Sequence, residues 1–295
     1  MSRDIKIKLT YAYNGAQFCG SQTQPHGRSV EDALGSALAR LGIFERVITS
    51  SRTDKGVHAL NQVSAVHCAS FWQIARLRDL INRHAAPYIF VKKIEVVSED
   101  FQPRYDAKMR SYRYVLNHGE FDPFLSDFCL FHKKVDLRAL NAALRVFVGR
   151  HDFSAFMKSG SDVKSCVREI YAAYAFAHKN CTIIKFRADG FLRAQVRLMV
   201  ANALKSLELS QSRGALSFKD PSSDALNFQN GSCDIYGGAS QALSSSNEGA
   251  GGELSAPSDE NSTKWGAKAR ILSIDKALTR IPAPPNGLYL ERVFY

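Results

Sequence analysis

Ser51-Arg52-Thr53-Asp54-Lys55-Gly56-Val57-His58-Ala59 is the stretch on which the reading of this chain turns. Apolar runs flank it, Val47-Ile48 before and Val63 to Val66 after, so it reads as a loop between two strands. Asp54 has an arginine two residues back and a lysine one residue on. Nearby positive charge favours an ionised carboxylate, available as a nucleophile or base. Gly56 permits a turn that residues with a Cβ resist. Taken alone, the stretch also reads as a charged surface turn in which Asp54 caps its own backbone. The rest of the chain decides between the two.

Upstream, Ile5, Ile7, Leu9, Tyr11 and Tyr13 alternate with polar residues and small ones, the pattern of a half-buried strand ended by Asn14-Gly15. Ser29-x-x-Asp32 has the form of a capping box. Val30, Ala33, Leu34, Ala37, Leu38 and Leu41 mark one face of the helix that follows, closed by Gly42. Downstream, Gln62 to Cys68 predicts a strand, Trp72 to Arg83 a helix and Tyr88 to Val97 another strand. Phe101-Gln102-Pro103-Arg104 reads as a hinge. Beyond it, Arg110 to Asn117 alternates, with Tyr112 and Tyr114 on one face and Arg113 on the other. A helix capped by Asp136 and closed by Gly149 comes next. Strands at Glu169 to His178 and Thr182 to Arg187 then turn tightly at Lys179-Asn180. A long helix spans Phe191 to Leu209, and the chain finishes in a strand from Leu288 to Tyr295. Both halves mix strands and helices in a similar rhythm, which predicts two α/β halves, 1–103 and 104–295.

The 295 residues are 45% hydrophobic and 23% charged, which suits a soluble globular protein with a sizeable core. No apolar run is long enough to span a bilayer, and the N-terminus lacks an apolar signal core. The six cysteines are scattered without a Cys-x-x-Cys pair. They read as reduced packing residues of a cytoplasmic protein, and no metal site is expected. Net charge is +11. From Ser210 to Thr263 two basic residues stand against seven acidic ones, which leaves +16 for the remainder. The basic part suits a polyanionic partner. The Ser/Gly/Ala/Asn-rich stretch at about 210–263 has little periodicity and is expected to be a flexible insertion.

With these blocks in order, the sequence resembles the tRNA pseudouridine synthase A family. The Asp54 loop is similar to the family's Gly-Arg-Thr-Asp-x-Gly-Val-His-Ala, with Ser51 in place of the first glycine. Arg110-Ser111-Tyr112-Arg113-Tyr114 resembles its Arg-x-Tyr-x-Tyr strand. His151 to Phe156, Phe191-Leu192 with Val196-Arg197, and Ala283-Pro284-Pro285 through Leu290 also match. Ser21 stands where the family usually has tryptophan, and Leu198 where it has asparagine.

The resemblance implies an α+β fold, two similar halves sharing a continuous, mostly antiparallel sheet with a central active-site cleft. It implies a homodimer acting on the anticodon arm of tRNA, at positions 38, 39 and 40. Asp54 matches the catalytic aspartate and nucleophile, Arg197 its carboxylate partner, Arg52 the arginine that helps with the flipped nucleotide, and Tyr112 the ring that packs on the target uracil. Conversion of uridine to pseudouridine breaks the N1–C1′ bond and forms a C5–C1′ bond. The change is redox-neutral, so no cofactor or metal is required. A target base that must leave its stack calls for an aromatic platform and cations for phosphates. Two other readings compete with this one. An inactive tRNA-binding or RNA-folding protein of the same fold would not need a carboxylate among phosphates. An aspartyl phosphotransferase would need further carboxylates near Asp54 to hold magnesium, and that loop has none.

Overall fold

The strand carrying Tyr112 keeps the alternation seen in the sequence. In the computed structural model, which describes residues 4–25, 27–160, 163–211, 273–274 and 276–295, it is β5 (Met109–Asn117). Tyr112 and Tyr114 are buried while Arg113 lies on the other face, over the Tyr289 ring. The other elements, in chain order, are β1 (Asp4–Tyr13), α1 (Val30–Ala39), β2 (Ile48–Thr49), β3 (His58–Ala69), α2 (Ile74–Ala85) and β4 (Ile89–Val96), all preceding β5. After it come β6 (Leu130–Phe131), α3 (Leu137–Arg145), β7 (Gly149–Asp152), β8 (Val167–His178), β9 (Cys181–Ala188), α4 (Gln195–Gln211) and β10 (Leu288–Phe294). The expected insertion at about 210–263 lies outside the described residues, apart from Ser210 and Gln211 at the end of α4.

The described strands form one sheet in the order β4-β1-β3-β10-β5-β9-β8-β7, with β2 on β3 and β6 on β5. Pairing is antiparallel except for β10 with β3 and β6 with β5. The fold is the α+β arrangement that the resemblance implied. The last strand of the chain is therefore central, between β3 of the early part and β5 of the later part. Leu290 of β10 lies opposite Tyr112, as does Phe186 of β9.

Helices form where the apolar spacing allows one face to be buried. The Ser29–Asp32 capping box is complete: the Ser29 hydroxyl accepts the Asp32 N–H, and the Asp32 carboxylate accepts the Ser29 N–H. Helix α1 buries Val30, Leu34, Ala37 and Leu38, and α2 buries Leu77, Ile81 and Ala85. Helix α3 is capped by Asp136, whose side chain accepts from the N–H groups of Arg138 and Ala139.

Most boundaries differ from the sequence reading by a residue or two, and three differ by four. The last helix begins at Gln195, not Phe191, because Ala194 takes a left-handed conformation (φ 60°) that cannot continue an α-helix. Gly149 does not close α3, which ends at Arg145. Its φ of 109° instead opens β7, a short strand that has no alternating apolar pattern to announce it. Strand β3 is longer than expected and starts at His58, directly after the Asp54 loop.

Leu290 is fully buried at the centre of the sheet. Leu290→Ala should cost about 3 kcal/mol of stability, read as a lower midpoint in urea unfolding with an unchanged slope.

Candidate active site

The loop carrying Asp54 joins β2 to β3, and polar side chains buried around it set its path. Ser50 N–H donates to the Val63 carbonyl at 2.9 Å, and its hydroxyl donates to Gln62 Oε1 at 2.9 Å. Gln62, fully buried in β3, donates its own amide to the Ser51 carbonyl at 2.8 Å. The Thr53 hydroxyl shares a 2.8 Å hydrogen bond with the Tyr13 hydroxyl, and Thr53 N–H donates to the Ser21 hydroxyl at 2.8 Å. Asp54 then begins a turn closed by Val57 N–H on its carbonyl at 3.1 Å. Gly56 within that turn has φ 80°, and a Cβ on it would lie 2.9 Å from the Pro285 ring. Glycine is required there on both counts.

Arg197, two residues into α4, donates from Nη1 to Asp54 Oδ2 at 3.2 Å. Its Nε donates to the Ala283 carbonyl at 2.6 Å, while Ala283 N–H donates back to the Arg197 carbonyl at 3.1 Å. The guanidinium is thereby fixed to the backbone and presented to the carboxylate. The Arg197 side chain is 15% exposed and that of Asp54 31%, so the carboxylate keeps one open side. Arg52 and Lys55 line the same cleft, but among the described residues Asp54 forms its ion pair with Arg197 alone. The counter-charge thus comes from a segment 143 residues away instead of from the flanking cations.

The open side faces a cleft of about 1500 Å³. Nine lysine and arginine side chains line it against three carboxylates, an excess that suits a polyanion. Tyr112 lines it too, its ring meeting Phe191 edge-on at 5.2 Å. Burial pushes the Tyr112 phenol above its ordinary value, and the nearby Tyr13 and Asp54 act in the same direction while Arg110 opposes them, so the ring is neutral. Arg110 donates to the carbonyls of Arg104, Ala107 and Asp189, tying the expected hinge to the end of β9. Asp54, Arg52, Tyr112 and Arg197 all converge on this cleft. Arg193 also lines it and is exposed. Among the described residues, no group of three His, Cys, Asp or Glu side chains could hold a metal ion.

This geometry bears on the comparison with known proteins. A family model described as tRNA pseudouridine synthase matches residues 143–226. A Campylobacter jejuni protein named tRNA pseudouridine synthase A is 46% identical over 205 residues, covering 69% of this chain and 85% of the relative. The Helicobacter hepaticus protein of that name is 40% identical over 218 residues, covering 72% of this chain and 86% of its own. For the Helicobacter pylori protein the figures are 41% over 199 residues, 66% and 81%. The chain belongs to the tRNA pseudouridine synthase A family.

Ser21, at the position where the resemblance leads one to expect tryptophan, is buried, and its hydroxyl accepts the Thr53 N–H. Leu198, in place of the usual asparagine, is buried on α4. The Ser51 hydroxyl is buried and has no partner among the described residues. Sequence reasoning missed Gln62, Tyr13 and Ser21 as supports of the loop. The available signal was a glutamine inside an apolar strand, which must find partners once buried.

His58 bridges three segments. Gly15 N–H donates to its Nδ1 at 3.0 Å, which leaves Nε2–H to donate to the Asp127 carbonyl at 2.8 Å. The ring stacks on Tyr289 at 4.7 Å. Gly15 must be glycine, since a Cβ there would lie 2.0 Å from the Val57 carbonyl oxygen. Burial lowers the His58 pKa below the ordinary 6.5, although the carbonyls of Asp127 and Asn286 oppose the shift. The unfolded chain therefore takes up this proton at higher pH than the folded one. The stability due to His58 is fully present above pH 6.5 and is lost as pH falls toward the folded pKa. Thermal unfolding followed from pH 7.5 to 5 should show wild type losing more of its midpoint than His58→Gln does. Equal losses would mean that His58 does not carry the acid sensitivity.

Proposed function

We propose that the chain converts uridine to pseudouridine at positions 38, 39 and 40 of the tRNA anticodon stem-loop. The observation that carries this reading is the Asp54–Arg197 pair, open on one side to a cationic cleft that also holds Tyr112 and Arg52. Family membership supports tRNA uridine isomerisation, and the anticodon arm is taken from the family resemblance.

In this reading the cleft cations hold the phosphates on either side of the target, and Arg52 keeps the flipped nucleotide out of its stack. The uracil packs on Tyr112, whose neutral phenol presents an apolar ring without a competing charge. Asp54 acts as nucleophile on the target nucleotide, its carboxylate kept in place by the Arg197 guanidinium. The N1–C1′ bond breaks, the detached base turns within the cleft, and C5 bonds to C1′. The C5 proton leaves and N1 gains one, so atoms and electrons balance with no cofactor. The segments 1–103 and 104–295 serve as halves, the first supplying Asp54 and Arg52 and the second Tyr112 and Arg197. We further propose that the protein works in the cytoplasm as a homodimer.

Asp54→Asn tests the assignment, because asparagine keeps the shape and loses the nucleophile. With tRNA labelled by tritium at uracil C5, turnover releases the label as each pseudouridine forms. Release should fall by at least about a thousandfold, with tRNA affinity within about threefold because no cation is removed. Residual turnover within about tenfold of wild type would remove Asp54 from the mechanism.

A further inference from the structure

Thr53 precedes Asp54, and the chain holds it on three sides. Its N–H donates to the Ser21 hydroxyl at 2.8 Å, its carbonyl accepts Ser21 N–H at 3.1 Å, and its hydroxyl meets Tyr13 at 2.8 Å. Ser21 is itself only 1% exposed and is fastened to the start of α1. The Ser21 carbonyl accepts Glu31 N–H at 3.0 Å, and the carbonyl of Gly20 accepts Val30 N–H at 3.1 Å. Both donors belong to the first turn of α1, whose N–H groups have no partner within the helix. At Gly20, φ is 115° and a Cβ would come within 3.1 Å of the Thr53 carbonyl oxygen. The two backbones approach each other at a distance that leaves little tolerance for a side chain on Gly20.

We propose that Ser21 is a positioning residue for Asp54, setting through Thr53 the direction in which the carboxylate leaves its loop. The inference rests on the reading of Asp54 as the catalytic carboxylate. Arg197 holds Asp54 from the α4 side, while Ser21 holds the preceding peptide from the α1 side. Two anchors define the line between Asp54 and a base in the cleft, and loss of the Ser21 hydroxyl removes one hold on the peptide that precedes Asp54 while the Tyr13 and Ser21 N–H contacts remain. Loss of the Ser21 hydroxyl strips the buried Thr53 N–H of its acceptor, and a donor in that position draws the loop toward any other acceptor or water. The cations that hold RNA are untouched. Ser21 therefore acts on the rate of the chemical step and not on affinity.

Single-turnover rate at saturating tRNA, tRNA affinity and thermal midpoint are measured together for Ser21→Ala. The rate should drop about tenfold to a hundredfold, the scale of a small misplacement of a reacting group, with affinity within about twofold. Ser21→Cys, close in size with a weaker acceptor, should fall between wild type and alanine. If Ser21→Ala proves too unstable to assay, the cysteine variant carries the same test. An unchanged rate, or a rate loss matched by equal losses of affinity and folded protein, overturns the inference. Asp54→Asn assayed alongside separates the two levels. If it retains turnover, the underlying reading fails. If it is inactive while Ser21→Ala matches wild type, only the role of Ser21 fails.

Discussion

A carboxylate on the loop before β3 and a guanidinium on the first turn of α4 must meet at 3.2 Å, and much of the fold follows from that requirement. A charged group placed in a partly desolvated cleft needs a partner, and its own loop does not supply one. Arg197 fills the role only if α4 starts where it does, after the left-handed Ala194. The same guanidinium binds the Ala283 carbonyl, so the pair also orders the Pro282 to Pro285 segment. Pro285 in turn packs where Gly56 leaves room beneath the Asp54 turn. Carboxylate, helix start and C-terminal segment are therefore one mechanical unit.

Sheet topology makes that unit possible. Because β10 lies between β3 and β5, the Asp54 loop and the Tyr112 strand are two strands apart, and the chain's last strand joins them. Leu290 and Phe186 flank Tyr112 on its own face, so that tyrosine is set by packing from both neighbours. Such placement suits a ring expected to serve as a platform, since a mobile ring would lose entropy on each encounter. Long-range pairing of this kind orders the cleft only when the whole sheet is formed.

Local patterns in the sequence were good guides wherever one periodicity ruled a segment. The alternation from Arg110 to Asn117 and the Ser29–Asp32 box each appear in the structure as the spacing predicts, because the controlling forces are local or face-to-face. The candidate site residues came from the family resemblance, and that they line one cleft could be seen only in the structure. Boundaries failed where a backbone conformation decided the outcome. Ala194 gives no sign in its side chain that it will be left-handed, and Gly149 could as well end a helix as open a strand. The two-residue strand β6 is too short to show a period. The flanking charges of Asp54 were also misleading, since neighbours in sequence need not be partners in space. The polar supports Gln62, Tyr13 and Ser21 are tertiary, and only their burial reveals what they hold.

The central claim is that Arg197 serves the carboxylate and not the RNA backbone. Single-turnover pseudouridine formation at saturating tRNA, measured beside the salt dependence of binding, separates these roles for Arg197→Met and Arg197→Lys. The account predicts that methionine lowers the rate by about a hundredfold or more while affinity stays within a few-fold. Lysine, which keeps the charge without the fork, should restore part of the rate. A methionine variant with a wild-type rate, weaker binding and a salt slope reduced by about one would contradict it, and would make Arg197 a phosphate contact.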